Sequence, residues 1–184
     1  MQIAKILSEL EKTRSQFWNV NKIVGNFLNL LIKANKYKTV LEIGTSNGYS
    51  GIWMAEALSK TGGRLYTIES HEKERFELAT RNFKKAGLEK YITQIAGHAP
   101  EAIPSRTAGP KMFDLVFLDA TKYEYPLYFE VIKNRIKKGG MIIADNTMSH
   151  HEELLPFLKI VKKDKTFVAA EFQIGSGILV AVKN

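Results

Sequence analysis

The sequence predicts an α/β fold in which seven strands form one mostly parallel sheet, with helices on both faces and an antiparallel last strand. Short apolar runs alternate along the chain with longer segments whose apolar residues recur at helical spacing. This alternation is typical of right-handed βαβ units. The last two apolar runs are separated only by the segment around Gly175 and Gly177. This is a hairpin spacing, so it reverses the final strand.

The elements follow from the period of the apolar residues. Amphipathic helices open the chain at 2–17 and 21–35. Strands are expected at 39–44, 64–70, 91–97, 113–119, 140–145, 166–174 and 177–183. The intervening helices are expected at 48–60, 72–87, 99–104, 125–137 and 152–163. Because no linker or repeat interrupts them, we expect a single domain over residues 1–184 with a Rossmann-like arrangement.

Composition excludes several classes of protein. The 184 residues include no cysteine, which excludes disulfides, thiolate zinc sites and a cysteine nucleophile. No apolar run reaches the roughly 18–20 residues of a membrane span, and charges near the N-terminus argue against a signal peptide. We therefore expect a cytoplasmic protein with no membrane partner. The net charge of +8 is compatible with a lysine-rich surface or with a nucleic-acid partner.

The first strand ends in a glycine-containing turn. Gly44 and Gly48 permit a tight turn and close approach by a ligand, and the next helix offers free N–H groups to an anion. The second strand ends at Glu69, an acid that can accept hydrogen bonds from a ribose. The glycines alone fit an ordinary strand-to-helix turn equally well, but with Glu69 they favour a nucleoside ligand.

Oxygen ligands follow the fourth and fifth strands. Asp119 ends the fourth strand, and Asp145 and Asn146 end the fifth. If these strands are neighbours, two carboxylates and an amide oxygen converge, a set that suits Mg²⁺, Ca²⁺ or Mn²⁺. Alternatively, Asp119 caps the following helix and the Asp145–Asn146 pair forms a turn.

Lys122 lies three residues beyond Asp119. A neighbouring divalent cation disfavours the ammonium form of a lysine, and the cation also acidifies a bound hydroxyl. Lys122 is therefore a candidate base that deprotonates a phenol or enol. The alternative is a solvated surface lysine.

Two stretches, VLEIGTSNGYS and YTIES, resemble the first two motifs of class I S-adenosylmethionine-dependent methyltransferases. The resemblance implies S-adenosylmethionine as the cofactor, with Glu42 beneath it and Glu69 on its ribose. The turn from Gly44 to Gly48 would wrap the methionine moiety. The other cofactor-binding residues assigned on this basis are Val20, Ser46, Ser50, Ser70, His98, Ala99 and Asp119.

The metal constellation resembles one branch of that family, the cation-dependent catechol and caffeoyl-CoA O-methyltransferases. Their LDxxKxxY pattern is met by Leu118, Asp119, Lys122 and Tyr125, and their DN pair by Asp145–Asn146. The resemblance implies that Asp119, Asp145 and Asn146 bind a divalent cation, with Mg²⁺ preferred over Ca²⁺ or Mn²⁺. It also implies that Lys122 is the catalytic base.

The sequence departs from these relatives at two positions near the site. His98 stands where many of them have an acid, and Thr121 stands where the animal enzymes have an aromatic residue. Trp18 either stacks on a ligand at the mouth of the site or packs between helices.

The function expected from this resemblance is methyl transfer to a hydroxyl of a catechol-like small molecule. The alternative is a tRNA hydroxyuridine O-methyltransferase of the same family, ranked second because most lysine clusters precede the strands, opposite the site. A homodimer is also expected. The N-terminal helix could form its interface or could pack on its own domain.

Overall fold

A computed structural model describes residues 2–70, 73–105, 107 and 109–184. Its strands are β1 (Thr39–Ile43), β2 (Arg64–Glu69), β3 (Ile92–Ala96), β4 (Phe113–Leu118), β5 (Ile136–Asp145), β6 (Phe167–Phe172) and β7 (Ile178–Lys183). They form one sheet in the order β3-β2-β1-β4-β5-β7-β6. The pairs from β3 to β5 are parallel, whereas β7 runs antiparallel to both β5 and β6. The predicted fold class is confirmed.

The helices are α1 (Gln2–Glu11), α2 (Arg14–Phe17), α3 (Lys22–Ala34), α4 (Tyr49–Thr61), α5 (Glu74–Lys85), α6 (Tyr125–Ile132) and α7 (His151–Lys163). Single turns of 3₁₀ helix occupy Glu89–Tyr91, Lys122–Glu124 and Lys133–Arg135. Among the described residues, no helix has the length and apolar character that a membrane crossing requires.

Two helix predictions need correction. The helix expected at 2–17 is divided because the Thr13 hydroxyl donates to the Leu10 carbonyl at 3.0 Å, a local bond that competes with the helical pattern. The helix expected at 99–104 is a series of turns. Pro100 and Pro104 lack the backbone donor that a regular helix needs.

The boundary between α6 and β5 also differs from the prediction. We expected the helix to continue to 137, but it ends at Ile132 and a 3₁₀ turn follows. Strand β5 starts at Ile136 instead of 140, and its register on β4 shifts between Phe113 and Leu115. This shift in register lies where β5 contains the Gly139–Gly140 pair.

The hydrophobic core lies on both faces of the sheet. One cluster joins the sheet to α1, α3, α4 and α5, and the other joins it to α6 and α7. Ile6 and Leu7 of α1 are buried in the first cluster. The N-terminal helix therefore packs on its own domain, as one of the two alternatives had it.

Candidate active site

A pocket of about 490 Å³ opens at the carboxyl ends of β1, β2, β4 and β5, where ligands bind in doubly wound sheets. The loop between α2 and α3 and the segment after β3 complete its wall. The predicted site residues that line it are Val20, Gly44, Ser46, Ser50, Glu69, Ser70, His98, Ala99, Asp119, Lys122 and Asn146. Three predicted residues do not line it: Glu42, Gly48 and Asp145.

The turn after β1 requires glycine at its first position. Gly44 has φ +104°, and a Cβ there would lie 2.1 Å from the carbonyl oxygen of Asp119. The close approach brings the ends of β1 and β4 together. Two residues on, the Ser46 N–H donates to Glu69 Oε2 at 2.7 Å and the Ser46 hydroxyl donates to the Phe17 carbonyl at 2.8 Å. The turn is thus tied to β2 and to the α2–α3 loop.

Glu42 lies beneath the floor of the pocket and is fully buried. Its two carboxylate oxygens accept hydrogen bonds from Ser50 Oγ at 2.5 Å and from Thr67 Oγ1 at 2.6 Å. Burial raises the pKa of this carboxyl to about 8, although the two hydroxyl donors act in the opposite direction. The carboxyl therefore tethers the start of α4 to β2 from below the pocket.

Gly48 is required by packing. It precedes α4 with φ +86°, and a Cβ there would lie 2.7 Å from Cε1 of Phe83. Asn82 Nδ2, from the same helix as Phe83, donates to the carbonyl oxygen of Asn47 at 2.8 Å. These contacts hold the start of α4 close to α5, so the position of Gly48 is set by helix packing behind the pocket.

Lys122 is held on the pocket wall. Its Nζ lies 2.9 Å from Asp119 Oδ1 and 3.3 Å from the hydroxyl oxygen of Tyr125. The side chains of Lys122 and Asp119 are only 13% and 17% exposed, so the alternative of a solvated surface lysine is wrong. Asp119 does not cap the following helix either, because the 3₁₀ turn is preceded by Thr121 and α6 by Glu124.

Asp145 is buried behind Asn146 at the end of β5. Its Oδ1 has no hydrogen-bond partner in the described part of the chain. Burial and the neighbouring carboxylate of Asp119 raise the pKa of Asp145 to about 7. Asn146, with φ +70°, turns the chain so that it lines the pocket while Asp145 does not.

The described residues contain no group of three or more His, Cys, Asp or Glu side chains that could hold a metal. The predicted ligand set has two carboxylates and one amide, so it does not meet that pattern. The buried Oδ1 of Asp145 without a partner is nevertheless a feature that a cation would satisfy, because isolated buried carboxylate oxygens are costly. The metal site stays a prediction.

His98 is tied to the segment that carries Lys122. Its Nε2 lies 2.9 Å from Glu124 Oε1, and the hydroxyl of Tyr128 donates to Glu124 Oε2 at 2.5 Å. Partial burial acts to raise the pKa of Glu124, but the hydrogen bonds from Tyr128 and His98 outweigh it and lower the pKa. Tyr128 and His98 both line the pocket.

Trp18, which the sequence places either at the mouth of the site or between helices, is 70% exposed, lines the pocket and lies under the guanidinium of Arg75 at 4.9 Å. Its helix-packing alternative is wrong. Other lining residues were missed by the sequence analysis. Asn19 lines the pocket with a buried Oδ1 that has no partner among the described residues. The signal for Asn19 was its place before Val20. No sequence motif marks Arg75 or Tyr128 as pocket residues. They reach the pocket through the packing of α5 and α6 on the sheet, which the local sequence does not show.

The charged lining of the pocket is mixed. Glu69, Asp119 and Glu153 are acidic, whereas Arg75 and Lys122 are basic. The lining therefore does not form the one-signed basic surface that phosphate-backbone binding requires.

Comparison with known proteins gives one family. The family model described as "O-methyltransferase" matches residues 2–183. Two similar curated proteins are the catechol O-methyltransferase of Niastella koreensis, 39% identical over 67% of this chain, and that of Mycobacterium tuberculosis, 36% identical over 67%. These matches span only 56% and 54% of the length of the two relatives.

Solved structures match over a larger share of both chains. The O-methyltransferase from Bacillus cereus in complex with SAH is 28% identical, with a TM-score of 0.88 over 98% of this chain and 91% of that one. The O-methyltransferase TomG from Streptomyces achromogenes in complex with SAM is 27% identical, with a TM-score of 0.86 over 97% and 89%.

Proposed function

The chain belongs to the O-methyltransferase family, and from this premise we propose that it transfers the methyl group of S-adenosylmethionine to a hydroxyl of a catechol-like small molecule with the help of a divalent cation. The observation that carries the proposal is the Lys122–Asp119 ion pair on the pocket wall, next to a buried Asp145 oxygen that lacks a partner among the described residues. A base and a candidate cation site thus occur together at one end of the pocket.

The cofactor end of the pocket is the turn after β1 together with Glu69. The backbone N–H of Ser46 already engages Glu69 Oε2, so this carboxylate is fixed at the pocket wall and can accept hydrogen bonds from a ribose. Gly44 and Ser46 line the pocket and permit close approach by a methionine moiety. Glu42 supports this turn from below through Ser50.

The candidate cation site consists of Asp119 and Asn146, which line the pocket, together with the buried Asp145. These residues fit a hard divalent cation because all their donor atoms are oxygens. The unpartnered Asp145 oxygen supports the same interpretation. A cation held there would lower the pKa of a bound acceptor hydroxyl and orient a neighbouring second hydroxyl.

Lys122 in its neutral form takes the proton from the acceptor hydroxyl, and a cation bound beside Asp119 would weaken the ion pair that favours the ammonium form. Its Nζ is positioned by Asp119 and Tyr125, so the base is oriented before the acceptor binds. The resulting oxyanion attacks the sulfonium methyl group, one C–O bond forms as the S–CH₃ bond breaks, and S-adenosylhomocysteine leaves. Trp18 and Tyr123, both exposed and both lining the pocket, provide aromatic surface for a planar acceptor.

The test measures transfer of labelled methyl from S-adenosylmethionine to caffeate and to dihydroxybenzoate, with Mg²⁺ and with excess chelator. A coumarate control has only one hydroxyl and cannot chelate. We expect methyl transfer only to the two compounds that have neighbouring hydroxyls. We expect no methyl transfer to any of the three compounds when the chelator is present. Transfer that survives the chelator would remove the cation from the mechanism. Binding of S-adenosylhomocysteine, measured in parallel, separates a wrong acceptor from a wrong cofactor.

The tRNA alternative is an outcome of the same test. Protein that binds S-adenosylhomocysteine but methylates no small diol would direct the search to hydroxylated uridine in tRNA. We also propose that the chain is one domain, acts in the cytoplasm and forms a homodimer. Sedimentation velocity at micromolar concentration measures the last of these directly.

A further inference from the structure

The imidazole of His98 contacts Glu124, which is itself held by Tyr128, and neither of these two residues has a part in methyl transfer. Glu124 lies on the 3₁₀ turn with Lys122, and its side chain is 15% exposed. One of its oxygens contacts His98 Nε2 at 2.9 Å and the other accepts from the buried Tyr128 hydroxyl at 2.5 Å. Glu124 is thereby fixed on both sides, so it presents one oxygen to the imidazole in a defined direction.

This contact selects one of the two neutral tautomers of the imidazole. The hydrogen bonds of Glu124 lower its pKa, so the carboxylate is ionised at neutral pH and can only accept. Nε2 must then carry the hydrogen, and in the neutral ring Nδ1 is left as an acceptor. No described residue makes a hydrogen bond to Nδ1, and the ring is half-exposed at the pocket wall.

We propose that Glu124 and Tyr128 are positioning residues that keep His98 Nδ1 as an acceptor for the exocyclic amino group of the cofactor's adenine. The proposal rests on the proposed function, in which Glu69 at the end of β2 holds the ribose. The next strand outward is β3, and the residues after it, Gly97, His98 and Ala99, line the pocket. The base attached to that ribose therefore meets this wall. An amino group donates to Nδ1, whereas a carbonyl at the same place offers no hydrogen.

The test compares S-adenosylhomocysteine with S-inosylhomocysteine, in which a carbonyl replaces the amino group. Calorimetry gives the dissociation constant of each without any turnover. We expect wild-type protein to prefer the adenine compound by about tenfold or more, as one matched hydrogen bond allows. In Glu124→Gln the amide can either donate or accept, so it no longer selects the imidazole form. We expect the preference to fall below about threefold.

Matched variants separate positioning from folding. Glu130→Gln removes a carboxylate from the outer side of α6, where it pairs with Lys133 at 2.6 Å, and should keep the full preference. Tyr128→Phe keeps the ring contact with Tyr125 but frees one oxygen of Glu124, and should give an intermediate preference. In a His98→Ala background, Glu124→Gln should change nothing further, since its effect passes through the imidazole.

The outcomes distinguish the two proposals. Wild-type protein that binds neither compound overturns the proposed function and this inference together. Tight binding without preference, or a preference that Glu124→Gln leaves intact, overturns only the inference. A further loss of preference from Glu124→Gln in the His98→Ala background would assign Glu124 a direct contact instead of a positioning role.

Discussion

The part of the pocket over β1 and β2 and the part over β4 and β5 differ in how completely their acidic groups are hydrogen-bonded. Over β1 and β2, Glu42 accepts from Ser50 and Thr67, and Glu69 accepts from the Ser46 backbone. Over β4 and β5, one oxygen of Asp145 has no partner among the described residues. Both acidic groups of the first part are hydrogen-bonded in the folded chain. The second part has an unpartnered carboxylate oxygen, which a bound cation would satisfy.

This difference predicts different consequences of mutation. Changes over β1 and β2 should act on cofactor binding and on stability, because those groups support the turn. Changes over β4 and β5 should act on turnover and on the response to cations. The four predictions below test this division, beginning with the largest expected effect.

Lys122→Met should lower turnover by about 10²–10⁴-fold, the usual contribution of a general base. The dissociation constant of S-adenosylhomocysteine should change by less than about threefold, because Lys122 contacts the part over β4 and β5. Steady-state rates and calorimetry measure the two quantities. Lys133→Met is the control, since Lys133 pairs with Glu130 outside the pocket. If the Lys122 variant lost cofactor affinity and kept its turnover, the division would be wrong.

Gly44→Ala should break the contact at which the two parts meet. A Cβ would lie 2.1 Å from the Asp119 carbonyl oxygen, and φ is +104°. We expect a loss of about 3–5 kcal/mol in the free energy of unfolding, from overpacking and backbone strain together. Gly87→Ala is the matched control: its φ is also positive, at +68°, but nothing lies within 4 Å, so it should cost only about 1–2 kcal/mol. Denaturant unfolding compares them, and equal losses would refute the steric explanation.

Asp145→Asn should abolish stabilisation by Mg²⁺. Binding at a hundredfold excess over the dissociation constant adds about 2.7 kcal/mol, which for a chain of this size is a rise in Tm of about 5–10 °C. We expect that rise in wild-type protein and in Glu130→Gln, and its absence in the Asp145 variant. Without metal the variant should be at least as stable as wild type, because an unpartnered buried carboxylate is removed. An unchanged Mg²⁺ response would exclude Asp145 as a ligand.

The sequence predicted the sheet and the acidic strand ends for a simple physical reason. Apolar runs and strand-end residues are local signals, and parallel strands bring their ends to one edge regardless of side-chain detail. Contacts between distant segments gave no such signal. Examples are the stacking of Arg75 over Trp18 and the contact of His98 with Glu124. The turns at 99–104 were not predicted because Ala99, Ala102 and Ile103 have a helical spacing, whereas Pro100 and Pro104 prevent a regular helix.

Glu42→Gln tests the part over β1 and β2 through pH. Burial raises the pKa of Glu42 to about 8 in the folded chain, from its usual value of 4.5, with Asp119 and Glu69 adding to the rise. The folded state therefore binds more protons than the unfolded state between these values. Stability should be greatest below the lower value and fall as the pH rises towards about 8. Between pH 6 and pH 8 the loss should be on the order of 2 kcal/mol in wild type.

Gln cannot ionise, so the free energy of unfolding of the Glu42→Gln variant should depend less on pH in chemical denaturation. Glu130→Gln is the control and should keep the pH dependence of the wild type. If the free energy of unfolding had the same pH dependence in wild type and in the Glu42 variant, the carboxyl would have its ordinary pKa and would be better solvated than its burial implies.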